Sequence, residues 1–163
     1  MQQKLYLGKN TILVDTPGML WPKIALASDG LMLAASHAIG SNALIEDEVA
    51  VYLADVLLAR YPQLLSARYG FKTEGMDGIA VVEGVAARRG YRQKGGDLDF
   101  EKAAHTFLQD YRTGALGRIS LETPTTRTGQ LAEHAAAMAE KAAKAAAIAA
   151  EKAANSARGK RGS

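Results

Sequence analysis

The sequence contains no cysteine, few aromatic residues and no long uninterrupted apolar run. The absence of cysteine excludes disulfide bonds and thiolate metal sites, and it is common in proteins of the cytoplasm. The most apolar stretch, residues 24–39, is interrupted by Ser28-Asp29-Gly30 and by Ser36-His37, so it is too short to cross a bilayer. The N-terminus lacks the pattern of a signal peptide. These absences predict a cytoplasmic protein that does not act in a membrane.

An apolar segment near the N-terminus leads into a distinctive tetrapeptide. Thr11-Ile12-Leu13-Val14 predicts a buried strand, and Asp15-Thr16-Pro17-Gly18 follows it directly. At the end of a strand in a nucleotide switch, such an aspartate holds Mg²⁺ through a water, and the glycine N–H approaches the terminal phosphate. The tetrapeptide alone is weak evidence, because Asp-x-x-Gly also marks simple turns. It is therefore consistent with a switch or a turn.

Further segments decide between these interpretations. The tetrapeptide continues as Met19-Leu20-Trp21-Pro22-Lys23, and the later landmarks are Tyr61-Pro62, Ala87-Arg88-Arg89-Gly90, Gly95-Gly96-Asp97-Leu98-Asp99 and Asp110-Tyr111-Arg112-Thr113-Gly114-Ala115-Leu116-Gly117-Arg118. Together they resemble the circularly permuted ribosome-assembly GTPases of the YlqF/RbgA type, across residues 1–124. The order of motifs in that family places a helical domain directly after the switch segment.

The resemblance implies cofactors, partners and site residues. The complete protein would use GTP and Mg²⁺, with Asp15, Thr16, Pro17 and Gly18 as nucleotide-binding residues and Asp15 as a Mg²⁺ ligand through a water. It would act in late maturation of the large ribosomal subunit and dock on rRNA in a GTP-dependent manner. The implied partners are the large subunit and its rRNA, with neither DNA nor a membrane among them.

Two nucleotide-binding motifs of that family are absent from the sequence, namely Asn-Lys-x-Asp and Gly-x-x-x-x-Gly-Lys-Ser/Thr. Gly8-Lys9-Asn10-Thr11 is a partial match to the second, but it lies between two apolar segments and predicts a hairpin turn. The family's proposed catalytic histidine would precede this sequence, so no catalytic residue is assigned. We expect a C-terminal fragment that obtains GTP through a missing N-terminal half. Alone it would neither bind GTP tightly nor hydrolyse it, and its status as an enzyme stays open.

Charge is distributed unevenly along the chain. Residues 1–87 carry six Lys/Arg and nine Asp/Glu, net −3, whereas residues 88–163 carry fourteen and eight, net +6. A nucleic-acid surface belongs in the second part, because cations neutralise phosphates there. The ordinary alternative is a solvated charged face. Extending the resemblance, we take as candidate RNA-binding residues Arg88, Arg89, Arg92, Lys94, Arg112 and Arg118.

Hydrophobic periodicity predicts a mainly α fold with three parts. These are a short β-hairpin in residues 1–28, a helical domain in residues 29–124 and an alanine-rich helical or disordered basic tail in residues 125–163. The resemblance implies that the hairpin is the remnant of a P-loop GTPase sheet and that the helical domain binds rRNA. The expected core positions recur at helical spacing and are Met32, Ala35, Ile39, Val49, Leu53, Val56, Leu57, Ile79, Val82, Ala86, Phe100, Ala103, Ala104, Phe107, Leu108 and Tyr111.

Local signals predict where several helices begin and end. Gly70 and Gly90 would end two helices, and Asp97 or Asp99 would cap the start of another. Asp47 and Glu48 suit a first helical turn, where carboxylates oppose the helix dipole, so they require no catalytic role. The segment 91–96 could be a flexible basic loop facing RNA or simply a connection between helices.

The tail and the completeness of the chain leave alternatives open. Alanine occupies 15 of the 27 positions from 131 to 157, which favours a solvated helix with no predicted function. One alternative for the whole chain is a stand-alone RNA-binding helical module without nucleotide binding. Another is an inactive truncated product, in which the exposed strand edge of residues 4–14 would favour aggregation.

Overall fold

The computed structural model describes residues 3–8, 11–15, 24, 26–39 and 46–159. The chain divides into two compact units, residues 1–30 and 31–163. Within the described residues, a two-stranded sheet precedes six helices, so the predicted mainly α fold with a short hairpin is confirmed. The first helix runs without interruption across the predicted domain boundary between residues 28 and 29.

The first unit contains an antiparallel hairpin formed by β1 (Gln3–Gly8) and β2 (Thr11–Asp15). Gly8 pairs with Thr11 at its closed end, so the Gly-Lys-Asn-Thr segment joins two strands as predicted. The prediction that Thr11-Ile12-Leu13-Val14 is a buried strand is wrong, because the side chains of Leu13 and Val14 are 55% and 44% exposed. A two-stranded sheet gives each strand one neighbour and buries little side-chain surface.

Helices account for most of the remaining described chain. They are α1 (Ala27–Ala35), α2 (Glu46–Arg60), α3 (Pro62–Tyr69), α4 (Gly78–Arg89), α5 (Phe100–Arg112) and α6 (Pro124–Gly159). α2, α4 and α5 pack against one another, and α3 packs against α2 and α4. Gly78 permits a close approach of α2 and α4, because a Cβ there would lie 2.5 Å from the backbone oxygen of Val51. These four helices enclose the core of the second unit.

The predicted α5 stripe is confirmed, since its central residues Ala103, Ala104, Phe107 and Leu108 are all fully buried. The prediction for α4 is partly wrong, because Ile79 is 51% exposed. Exposed Ile79 lies outside the core face of α4, which consists of Gly78, Val81, Val82, Val85 and Ala86.

Caps define the helix ends much as the sequence indicates. Gly70 and Gly90 follow α3 and α4 with φ of 73° and 69°, a left-handed conformation that glycine adopts without strain. The Asp99 carboxylate accepts from the Lys102 N–H at 3.1 Å and caps α5, as predicted. Asp77 caps α4 in the same way, accepting from the Ala80 N–H at 2.8 Å, and this cap is not among the predicted ones.

The last helix, α6, is largely solvated, as its composition predicts. Leu131, Met138 and Ile148 are each about half exposed, with values of 47%, 54% and 54%. Its start is defined by Thr123, whose hydroxyl oxygen accepts from the Thr126 N–H at 3.2 Å. Among the described helices, none combines the length and apolarity needed to cross a membrane.

Candidate nucleic-acid interface

The last turns of α3, α4 and α5 meet at the carboxylate of Asp110. Arg68 donates to it through Nε at 3.0 Å and Nη2 at 2.8 Å, which is a bidentate pair. The Tyr69 hydroxyl donates at 3.0 Å, and Nη2 of Arg89 donates at 3.2 Å. Asp110 is 9% exposed as a residue, so its charge is almost enclosed. One carboxylate of α5 therefore fixes Arg68 and Tyr69 of α3 and Arg89 of α4.

The electrostatics of this group favour the ionised carboxylate. Burial works against the charge of Asp110, but the hydrogen bonds from Arg68 and Tyr69 and the charges of Arg68 and Arg89 outweigh it and lower the pKa of Asp110. The hydrogen bond with Asp110 in turn raises the pKa of Arg68. Burial, with the nearby negative charge, raises the pKa of Tyr69, which stays a neutral donor. The group is thus held in one charge state at neutral pH.

A third arginine lies beside this group. A Cβ at Gly70 would lie 3.1 Å from Nη2 of Arg88, which places the Arg88 side chain over the end of α3. Within the described residues, Arg88 has no hydrogen bond or ion pair with another protein group. We call Arg68, Arg88, Arg89 and Asp110 the arginine cluster. It sets three guanidinium groups against one carboxylate, and the side chains of Arg68 and Arg89 are 34% and 38% exposed.

The loop between α4 and α5 carries two further candidates. Arg92 and Leu98 form an isolated antiparallel bridge. The Gln93 N–H donates to the backbone carbonyl of Asp97 at 2.9 Å, and the Gly96 N–H donates to the backbone carbonyl of Gln93, also at 2.9 Å. Arg92 also donates from Nη1 to the Gly96 oxygen at 2.6 Å. The segment is therefore a hydrogen-bonded hairpin turn that connects α4 and α5, with Lys94 exposed on it, and its contact with RNA stays a prediction.

Arg112 and Arg118 differ in their surroundings. Arg112 donates through Nε to the Ala35 oxygen and through Nη2 to the Ala34 oxygen, both at 3.0 Å, and so satisfies the last carbonyls of α1. Arg118 is exposed and makes no hydrogen bond or ion pair with a described residue. Arg112 thus links α5 to the end of α1, and it also lines a cleft of about 240 Å³ with Ser36 and Tyr111.

Arg68 is not among the residues predicted from the sequence, and Asp110 has no predicted role. A usable signal was present, because Asp110 follows Phe107 by three residues and so adjoins the apolar stripe of α5. A carboxylate next to a buried face requires cationic partners. Sequence spacing does not identify those partners, because Arg68 and Asp110 are 42 residues apart in the chain.

The proposed switch residues are described only in part. Asp15 is the last residue of β2, paired with Gln3, whereas Thr16, Pro17 and Gly18 lie outside the described residues. Over the described ranges, no group of three histidine, aspartate or glutamate side chains is arranged to hold a metal ion.

The fold and the site define a helical module with arginines fixed at its helix ends, preceded by a strand pair that ends in aspartate. No family model matches the chain. Curated relatives do match: the Ribosome biogenesis GTPase A proteins of Bacillus cereus (36% identity over 123 residues) and Priestia megaterium (34% over 124) each cover 76% of this chain. The Mitochondrial ribosome-associated GTPase 1 of Xenopus tropicalis is 29% identical over 121 residues, covering 68% of the chain and 39% of that relative.

The chain belongs to the ribosome biogenesis GTPase family of the YlqF/RbgA type. It spans 42% and 43% of the lengths of the two bacterial relatives.

Proposed function

We propose that this chain is part of a cytoplasmic ribosome-assembly GTPase that acts in late maturation of the large ribosomal subunit. Its helical domain docks on rRNA through the arginine cluster, with Lys94 and Arg118 as additional phosphate contacts. In the complete protein, Asp15, Thr16, Pro17 and Gly18 contact GTP, Asp15 holds Mg²⁺ through a water, and GTP ordering of this segment favours docking. The names of the relatives support the ribosomal role.

The observation that carries the RNA proposal is the fixed, partly exposed excess of positive charge at the arginine cluster. Asp110 restrains Arg68 and Arg89 without neutralising all three cations, and Arg88 has no described partner. Guanidinium groups with restrained geometry lose less conformational entropy when they bind phosphate oxygens. A-form RNA offers closely spaced phosphates, and binding to them depends on salt because counterions are released.

The test is to measure binding of the full chain to large-subunit rRNA between about 50 and 200 mM salt. The variant Arg88→Glu/Lys94→Glu reverses two exposed charges that have no described partner. The matched control, Lys141→Glu/Lys152→Glu, makes the same change of net charge at two exposed lysines of α6 that have no described partner. We expect the first variant to lose about tenfold or more in affinity and to show a shallower salt dependence, with a smaller loss for the control.

Equal losses in the two variants would contradict a localised RNA site and leave only a general charge effect. Arg89 is left unchanged in this test, because its bond to Asp110 would confound binding with folding.

The nucleotide part of the proposal has its own test. The purified chain, mixed with GTP and Mg²⁺, is expected to show no phosphate release above buffer and no tight nucleotide binding, because the phosphate-loop and guanine-specifying motifs are absent from its sequence. Turnover by the chain alone would contradict the assignment of nucleotide binding to another part of the protein.

A further inference from the structure

A second surface, with the opposite charge, lies where α2 meets the starts of α4 and α5. Its cavity has a volume of about 430 Å³. The lining side chains, which we call the acidic groove, are Asp47, Glu48, Val51, Tyr52, Asp55, Ile79 and Phe100. None of these residues belongs to the arginine cluster. The groove is therefore a separate candidate site on the same helical domain.

Apolar groups line the groove. Ile79 is 51% exposed, although its spacing predicts a core position. The buried residues of α4 do not include it. Phe100 and Val51 are half-buried, and they present apolar surface beside Ile79. An exposed aliphatic side chain in a concave apolar site is a typical anchor point for a partner's side chain. The groove thus offers a pocket for one aliphatic or aromatic residue.

Carboxylates accompany this apolar surface. Asp47 and Glu48 make no hydrogen bond or ion pair with any described residue. Asp55 accepts from the Gly78 N–H through Oδ1 at 2.7 Å. Among the described residues that line the groove, none is a lysine or an arginine. The local charge is therefore negative, in keeping with the net charge of −3 over residues 1–87.

We propose that the acidic groove binds a basic peptide segment of another protein, with one apolar residue of the peptide seated against Ile79. Lysine or arginine on either side of that residue would face Asp47 and Glu48. Charge complementarity selects this partner, because the carboxylates of the groove repel both the phosphates of RNA and the carboxylates of an acidic peptide. The partner's apolar anchor gives affinity, and the charges determine its orientation and association rate.

The test uses the full chain and a short fluorescein-labelled peptide in which lysines and arginines flank a single leucine. Binding is followed by fluorescence anisotropy. We expect Ile79→Ser to weaken binding about tenfold, because the buried apolar contact is lost. The control is Ile148→Ser on α6, an isoleucine of similar exposure at 54% against 51%, which should leave affinity unchanged.

Two further arms separate this site from general charge attraction. Asp47→Asn/Glu48→Gln should weaken binding and reduce its salt dependence, and a peptide with serine in place of leucine should bind about tenfold more weakly. Absence of binding, equal binding of the leucine and serine peptides, or an Ile79→Ser variant with unchanged affinity would each overturn the proposal. Neither RNA nor nucleotide is present, so failure here would leave the proposed rRNA docking untouched.

Discussion

The hairpin and the helical domain use the same kind of side chain in opposite ways. Leu5 and Leu13 in the hairpin face each other across the sheet yet are 59% and 55% exposed. Leu53 and Leu57 in α2 are fully buried among α2, α4 and α5. An apolar sequence pattern therefore indicates that one face of a strand or helix is suited to burial. Whether that face is buried depends on the elements that pack against it.

This difference separates two sources of stability. Among the described residues, the buried cluster of the helical domain runs from Ala34 to Leu116, so this part of its hydrophobic stabilisation comes from within the second unit. The described hairpin relies on its ladder of backbone hydrogen bonds and on cross-strand pairs, which contribute modestly for two strands. The hairpin's apolar side chains would gain stability from a covering layer, whereas those of α2 already have one.

The largest expected effect tests this comparison directly with two identical substitutions. Leu53→Ala should reduce the free energy of unfolding by about 3 kcal/mol, because it removes buried surface and leaves a cavity. Leu13→Ala should change it by no more than about 0.5 kcal/mol, since that side chain is already in contact with water. Urea unfolding followed by far-UV circular dichroism measures both.

A loss for Leu13→Ala as large as that for Leu53→Ala would show that the hairpin is packed in solution. The two regions would then no longer differ in the way their leucines indicate.

The arginine cluster is expected to give the next largest effect. Asp110→Asn leaves Arg68 and Arg89 without their anionic partner and should reduce the free energy of unfolding by about 2 kcal/mol. The control is Asp97→Asn, an exposed carboxylate whose side chain has no described partner, with an expected change below about 0.5 kcal/mol. Chemical unfolding at neutral pH measures the free energy of unfolding of both variants.

The pH dependence of the same variant sharpens this prediction. The pKa of Asp110 is lowered in the folded protein, so its contribution is fully present above its unfolded pKa of about 3.9 and is lost as the pH falls through the folded pKa. The difference in unfolding free energy between the parent chain and Asp110→Asn should therefore stay constant from neutral pH to about 4 and shrink below it. A difference that persists unchanged in acid would rule out the ionised carboxylate as its origin.

Local features of this fold were predictable because local chemistry determines them. Gly70, Gly90 and Asp99 mark helix ends through backbone conformation and capping, which depend on a few neighbouring residues. The buried stripe of α5 was predictable because its side chains recur at the helical period.

The site itself was less predictable, because its contacts join distant parts of the chain. Asp110 bonds to Arg68 and Arg89 across 42 and 21 residues, distances at which sequence spacing carries no information. Ile79 follows the helical period, yet it is 51% exposed and lies outside the buried face of α4. Arg112 stays a candidate RNA-binding residue, and the two backbone partners of its guanidinium at the end of α1 were not predictable from sequence spacing.

Arg112 provides a smaller effect within the helical domain. Arg112→Ala removes two charge-assisted hydrogen bonds to the last carbonyls of α1 and should cost about 1 kcal/mol, less than a core substitution because the site is partly solvated. Arg118→Ala, which removes an exposed arginine without a described partner, should be neutral for stability. If both variants lowered the urea midpoint equally, the link between α5 and α1 would not be the cause.

The smallest effect is expected at α6, which forms a third kind of region, helical but without a core of its own. Removal of residues 131–163 should reduce the helical circular dichroism signal, because most of that segment is helical. It should change the free energy of unfolding by less than about 0.5 kcal/mol, since Leu131, Met138 and Ile148 are about half exposed and the buried core ends at Leu116. A clear fall in the urea midpoint would instead show that α6 packs on the helical domain, and its alanine-rich surface would then belong with the buried helices rather than with the solvated hairpin.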